Sequence, residues 1–302
     1  MPRPILVLIL LSLASVAFGQ SYHEKFQSLF NGSGNDTAKI RSLLSEWEKT
    51  NPDDPELYTS AINFYFSNSK QTETVLSREQ IGKSSLQFTD STGKVAGYMN
   101  SSTAYRPDQL VLAFRYIDMG IEKFPDRLDM RFGKCYVLGQ IADYDGFTRE
   151  IIKAVEYSTT NKNHWLWTDN KKLDNGEKFM LQTVQDYLKQ LYDTENDSLL
   201  ENMKRIGEVT IKYYPTNVEI LSSTAVANML TKNYDTALVY LKLAENLNPK
   251  DFIVLNNIAQ GYKMKGDKAN AIKYYELTEK YGDEEAKQQA RKNLREMKTD
   301  VH

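Results

Sequence analysis

The chain has 302 residues, with 38 basic and 40 acidic side chains and a formal net charge of −2. That near balance offers no basic field for nucleic acid or anionic lipid, and a single cysteine, Cys135, excludes an internal disulfide. Glycine and proline are sparse while Leu, Ile, Ala, Lys and Glu mix over long stretches, a composition that favours helices held by packing.

The first element is a leader. Arg3 is the one early positive charge, residues 5–18 are apolar apart from Ser12 and Ser15, and Ala17 and Gly19 are the small residues a signal peptidase reads. The apolar run is shorter than the about 20 residues of a transmembrane helix. Residues 1–19 are therefore expected to be a signal peptide and residues 20–302 one exported domain without membrane insertion. Glutamine at the new N-terminus suits a bacterial periplasmic or secreted protein, and no cysteine near the cleavage site offers a lipid anchor.

A helical pair is expected over 22–49, with Ile40, Leu44 and Trp47 on one face, and the next helix starts after Pro52. Between about 71 and 105 the helical period fails. Residues 86–89 and 94–98 flank Asp90, Ser91, Thr92 and Gly93, which predicts a β-hairpin with a glycine-bearing turn. A helix carrying Ala113, Ile117 and Gly120 then completes the pair opened by 54–66. Another pair is expected over 128–157, followed by a polar linker, 161–175, that holds Trp165 and Trp167. Further pairs occupy 177–214, 216–249 and 250–283. Ala286, Ala290, Leu294 and Met297 make one apolar stripe on a final helix at about 284–298, suited to cap a stack.

Four prolines punctuate this order. Pro52, Pro125, Pro215 and Pro249 are each followed, at the fifth residue, by an apolar side chain: Leu57, Met130, Ile220 and Val254. Three of them place an acid at the fourth, Glu56, Asp129 and Glu219. Proline cannot continue a helix, and an acid in the first turn complements the helix dipole. Asp53, Asp54 and Glu56 are accordingly read as capping and dipole complement. Upstream of each proline, small and large apolar residues share one face: Ala113, Ile117 and Gly120; Met203, Gly207 and Thr210; Ala237, Leu241 and Ala244. Pro215 to Pro249 and Ala237 to Ala271 span the same interval.

This pattern resembles the tetratricopeptide repeat, a helix-turn-helix unit with small and large apolar positions ending in proline. Leu221, Ala225, Tyr234, Ala237, Leu241, Ala244 and Pro249 match it in one copy; Leu255, Ile258, Ala259, Tyr262, Gly266, Asp267, Ala271 and Tyr275 match it in the next. A third copy keeps Leu138, Asp143, Tyr144, Ile151 and Ala154, with Phe147 where alanine is usual. The resemblance implies an all-α solenoid, a tetratricopeptide-like superhelix with a small β-hairpin insertion. It also implies a groove lined by the first helix of each pair. Carried over position by position, that groove holds Thr59, Asn63 and Phe66, then Phe132, Tyr136 and Gln140, then Asn256, Gln260 and Lys263. Such a surface suits a protein or peptide, held by amides and aromatic burial.

Catalytic signatures are missing: no nucleophile elbow, Walker loop, paired-cysteine zinc spacing or zincin helix occurs. The three histidines, His23, His164 and His302, are scattered, so no metal site and no cofactor is expected. Sequons at Asn31, Asn35, Asn100 and Asn196 matter only in a eukaryotic secretory pathway. The reading is therefore a non-catalytic scaffold for a protein or peptide. The alternative is a glycan-binding protein or enzyme built on the two insertions, with Trp165, Trp167, Tyr98 and Tyr105 as stacking surfaces.

Overall fold

A computed structural model describes residues 20–32, 36–80 and 85–299; the expected leader, the sequon at Asn35 and His302 lie outside them. Thirteen α-helices among the described residues form hairpins in sequence. α1 (Tyr22–Phe30) pairs with α2 (Thr37–Thr50), α3 (Pro55–Ser69) with α4 (Pro107–Lys123), and α5 (Leu128–Gln140) with α6 (Tyr144–Thr160). α7 (Gly176–Tyr192) pairs with α8 (Leu200–Tyr213), α9 (Val218–Leu230) with α10 (Tyr234–Leu247), and α11 (Phe252–Lys265) with α12 (Lys268–Tyr281); α13 (Glu284–Thr299) follows. No helix among them is long and apolar enough to cross a membrane.

Local chemistry sets the breaks. All four punctuating prolines fall in the connections between one hairpin and the next, where a missing amide hydrogen costs nothing. Side chains cap three of the four helices that follow: Asp54 Oδ1 accepts from Glu56 N at 3.0 Å, Asn217 Oδ1 from Ile220 N at 2.8 Å, and Asp251 Oδ1 from Ile253 N at 3.0 Å. The residue five after each proline, Leu57, Met130, Ile220 or Val254, is buried and pins the start of the helix to the core.

The hairpins stack in two layers. Between first helices, Tyr187 Oη donates to Phe132 O at 3.2 Å, Gln185 Nε2 to Ser223 Oγ at 2.8 Å, and Asn257 Nδ2 to Ser222 Oγ at 2.9 Å. Between second helices, Tyr116 Oη donates to Glu48 Oε2 at 2.6 Å and Asn202 Nδ2 to Thr148 Oγ1 at 2.8 Å. Apolar side chains fill the space between the layers in three clusters running from Phe26 to Met297, so each hairpin buries its face only against its neighbours. This is a tetratricopeptide-like solenoid, all-α apart from small strands.

Small residues let the helices approach. A Cβ on Gly120 of α4 would stand 2.8 Å from Tyr58 Cβ of α3, and one on Gly207 of α8 would run into Thr224 Oγ1 of α9. Gly207→Ala is expected to destabilise the protein by about 1–3 kcal/mol, the usual cost of overpacking. Adding Thr224→Ala removes the hydroxyl and the methyl but leaves Thr224 Cβ at 2.9 Å, so it should recover part of that loss. Urea titrations of the two variants check this; equal losses in both would mean the collision is not the cause.

The insertion between α3 and α4 is larger than a hairpin. β2 (Leu86–Thr89) and the start of β3 (Val95–Tyr105) are the expected strands, turned by Gly93 at φ 81° with Asp90 Oδ1 accepting from Thr92 N at 2.8 Å. β3 continues to Tyr105 and pairs with a further strand, β1 (Lys70–Ser77), in an antiparallel sheet of order β1-β3-β2. β1 was not legible because Lys70, Gln71, Thr72, Glu73 and Thr74 carry no apolar alternation; pairing from Lys70↔Tyr105 to Ser77↔Tyr98 makes it a strand. The sequon at Asn100 is occupied otherwise: the buried amide donates to Ser77 Oγ at 2.7 Å and accepts from Ser85 Oγ at 2.6 Å.

The linker 161–175 is ordered by its backbone. β4 (Leu166–Trp167) pairs with β5 (Lys171–Lys172) around a 3-10 turn, Thr168–Asn170. Leu166 N donates to Asp126 O at 2.9 Å, so the linker is laid against the α4–α5 connection.

Candidate functional site

The expected groove residues divide into three groups. On α3, Thr59 is half-buried and its hydroxyl donates to Glu56 Oε2 at 3.1 Å, while Asn63 is exposed. Phe66 is only 5 % exposed; it stacks on Tyr105 at 5.6 Å and meets Tyr136 edge-on at 5.9 Å. On α5, Phe132 is also 5 % exposed and lies edge-on to Tyr187 inside the middle cluster, whereas Tyr136 is 51 % exposed and Gln140 is open. On α11, Asn256 and Gln260 are half-buried, Gln260 Oε1 accepts from Tyr275 Oη at 2.8 Å, and Lys263 Nζ donates to Asn293 Oδ1 of α13 at 2.9 Å.

The face is therefore open at its N-terminal half, at Asn63, Tyr136 and Gln140, and bridged by α13 at the end of the stack. Phe66 and Phe132 belong to the packing. Asn63 and Phe66, like Phe132 and Tyr136, are one turn apart on the same side of their helix; what differs is the neighbour, Tyr105 covering Phe66 and Tyr187 packing on Phe132.

The inserted sheet borders this open half. Tyr105, its last residue, is the ring that stacks on Phe66, and Lys70 Nζ sits over the same Phe66 ring at 4.6 Å. Strand alternation puts Met99 and Gly97 on the same face of β3 as Tyr105. The pairs Leu76↔Met99, Leu86↔Met99 and Phe88↔Gly97 fill that face. It is apolar and in solvent: Leu86 is 70 % and Leu76 66 % exposed, with Phe88 and Met99 partly covered at best. The expected hairpin drew attention to its turn and missed this face, which exists only through the β1 pairing.

The tryptophans of the linker do different things. Trp165 is 1 % exposed, packed on Tyr157 at 5.8 Å with the Arg131 guanidinium 5.9 Å from its ring. It plugs the side of the stack and has no face to offer a ligand. Trp167 is half-buried, edge-on to Phe179 at 5.1 Å. Tyr105 has one face on Phe66, and the two insertions touch α3 at opposite ends, near Glu56 and after Ser69. A composite stacking site built from both insertions is therefore not assembled.

A second polar centre was not legible in the chain. Arg127, whose side chain is fully buried, donates Nη1 to Glu56 Oε1 at 2.7 Å and Nε and Nη2 to the two Asp129 oxygens at 2.8 and 2.7 Å. Burial works against its charge, but the bonds to Asp129 and Glu56 outweigh it and hold its pKa above the ordinary arginine value. Glu56 and Asp129 stand in the first turns of α3 and α5, as expected, and also neutralise this guanidinium. The 3-10 turn closes the cluster: Asp169 N donates to Glu56 Oε1 at 2.9 Å and Thr168 Oγ1 to Asp129 Oδ2 at 3.2 Å. Asp169 takes φ 60° to do so. His23 of α1 joins from the other side; a ring nitrogen of His23 and carboxylate oxygens of Glu56 and Asp169 lie within 4.8 Å of one another.

No family model and no curated protein matches the chain. Among solved structures it is similar to YrrB, described as a TPR protein with an unusual peptide-binding site, at 14 % identity and TM-score 0.41, over 82 % of this chain and 97 % of that one. It is also similar to the C-terminal part of a TPR repeat-containing protein from Cytophaga hutchinsonii, at 14 % identity and TM-score 0.41, over 86 % of this chain and 78 % of that one. PilF of Pseudomonas aeruginosa aligns at 16 % identity and TM-score 0.34, over 57 % and 68 % of the two chains.

Proposed function

We propose that this chain is an exported, non-catalytic scaffold that holds a protein or peptide along the open half of its first-helix face, with the inserted sheet as a side wall. The observation that carries the reading is the apolar sheet face of Leu76, Leu86, Phe88 and Met99, exposed on the strand that runs, about 20 Å further on, into the Phe66–Tyr105–Tyr136 cluster. Soluble proteins rarely leave contiguous large apolar side chains in water without a partner for them. Asn63 and Gln140, on the open helix face, supply amides that bond a peptide backbone without demanding a particular sequence, and Tyr136 supplies an aromatic anchor. The near-neutral charge of the chain fits a partner recognised by shape and burial instead of a strong field. Residues 1–19 carry the export part of the reading.

In-cell crosslinking of the tagged protein in its native envelope, followed by mass spectrometry, tests this. One protein should be captured by the wild type and lost in Asn63→Ala/Tyr136→Ala/Gln140→Ala and in Leu76→Glu/Leu86→Glu. Both variants replace solvent-exposed side chains, so their melting temperatures should stay close to that of the wild type. Capture that survives in both, with both folded, would remove the proposal.

A further inference from the structure

The geometry points to a divalent transition-metal site, of the zinc class, formed by His23, Glu56 and Asp169. This is independent of the scaffold reading and of the face on which a partner docks. The three residues come from α1, the first turn of α3 and the 3-10 turn of the linker. Their donor atoms, one imidazole nitrogen and two carboxylate oxygens, nevertheless lie within 4.8 Å of one another. In a tetrahedral zinc site, with bonds of about 2.0–2.1 Å, neighbouring donors stand about 3.3 Å apart. Closing that difference calls for side-chain rotation of His23 and Asp169.

Two further observations favour a cation. His23 Nδ1 is shielded from solvent and has no hydrogen-bond partner, an expensive state for a nitrogen that is a strong metal donor. The charge around it is also uneven. Glu56 and Asp129 share one buried cation, Arg127, and Asp169 is paired, among the described residues, only with Lys171 at 3.2 Å, which is 74 % exposed and screened by water.

The existing bonds prepare the carboxylate. Glu56 Oε1 accepts from Arg127 Nη1 and from Asp169 N, which holds the group in place, while Oε2 accepts from the Thr59 hydroxyl at 3.1 Å. Outer bonds of this kind orient metal ligands and sharpen their affinity. One imidazole with two carboxylates suits zinc and its neighbours in the first transition row. Magnesium and calcium prefer all-oxygen sets, and soft monovalent copper prefers sulfur. Bound there, the ion ties α1 and the linker to α3, and so stabilises the N-terminal end of the stack by mass action.

The test uses chelator-stripped protein spanning residues 20–302 and zinc chloride alone. Calorimetry should give one ion per chain at micromolar or tighter affinity, with a rise in melting temperature. His23→Gln and Asp169→Asn should each weaken binding by about tenfold or more. Asparagine tolerates the positive φ at 169, so Asp169→Asn keeps the turn. As a readout that needs no variant, zinc should shift the imidazole resonances of His23 and leave those of His164 unchanged. Cobalt should quench Trp47, whose ring centroid is 6.4 Å from that of His23. Absence of binding below about 100 μM, a value equivalent to a free energy near −5.5 kcal/mol, overturns the proposal. So does binding that leaves the His23 resonances unmoved.

Discussion

Arg127→Ala is expected to lower the unfolding free energy by about 3–5 kcal/mol, because it leaves carboxylates buried without their cation. Glu56 and Asp129 reach solvent poorly, and each gives Arg127 a bond of 2.7–2.8 Å. Removal of the guanidinium strands both charges and also releases the 3-10 turn, since Asp169 N and Arg127 share Glu56 Oε1 as acceptor. The triple change Arg127→Met/Glu56→Gln/Asp129→Asn takes away the charges together and should cost much less than the single one, as buried ion clusters often do when replaced as a unit. Urea denaturation followed by circular dichroism measures the difference. Since hairpins contact only their neighbours, the single variant should show an early transition for the N-terminal third and a later one for α9 to α13. A loss below about 1 kcal/mol, the level of an exposed pair, would mean that water reaches the cluster.

Trp165→Ala is expected to be nearly as damaging, at about 3–5 kcal/mol for a large aromatic removed from a core. Trp165 is fully enclosed between Tyr157 and Arg131, and its backbone holds the linker on both sides: Trp165 N donates to Asn163 O at 2.9 Å and its carbonyl accepts from Leu173 N at 3.0 Å. Trp167→Ala, at a half-buried ring with one aromatic neighbour, should cost only about 1 kcal/mol. Trp165→Phe separates volume from polarity. Its indole Nε1 is buried without a hydrogen-bond partner, so the phenylalanine variant loses packing but sheds an unsatisfied donor, and should fall between the two. Differential scanning calorimetry of the three variants ranks them. Equal losses at 165 and 167 would show that the linker, and not the plug, carries the stability.

The two experiments meet at the 3-10 turn. Loss of Arg127 frees Glu56, and loss of Trp165 frees the linker, so that Asp169 no longer stands beside His23. Zinc affinity should therefore fall in Trp165→Ala together with stability, whereas Gly207→Ala, at the α8–α9 contact, should leave it unchanged.

Much of the solenoid is written in short-range chemistry, and that part the chain determines alone. Pro52, Pro125, Pro215 and Pro249 stop helices wherever they sit, Asp and Asn restart them through bonds spanning two or three residues, and the small-large alternation at Ala237, Leu241 and Ala244 marks a face by period. These effects need no distant partner, which is why hairpin order, connection points and the final helix were legible.

Features that depend on what lies opposite were decided by tertiary structure. β1 has no strand pattern of its own and is held by β3; only that pairing lines up Leu76, Met99 and Leu86 as an exposed face. Phe66 and Tyr136 both read as aromatic groove residues, yet one is covered by Tyr105 and the other is in solvent. Glu56 reads as a helix-start acid until Arg127, 71 residues on, and Asp169, 113 residues on, turn it inward. His23 becomes a ligand candidate for the same reason. A charge or a lone pair acquires its role from neighbours within a few ångströms, and in a folded solenoid those neighbours are supplied by other hairpins.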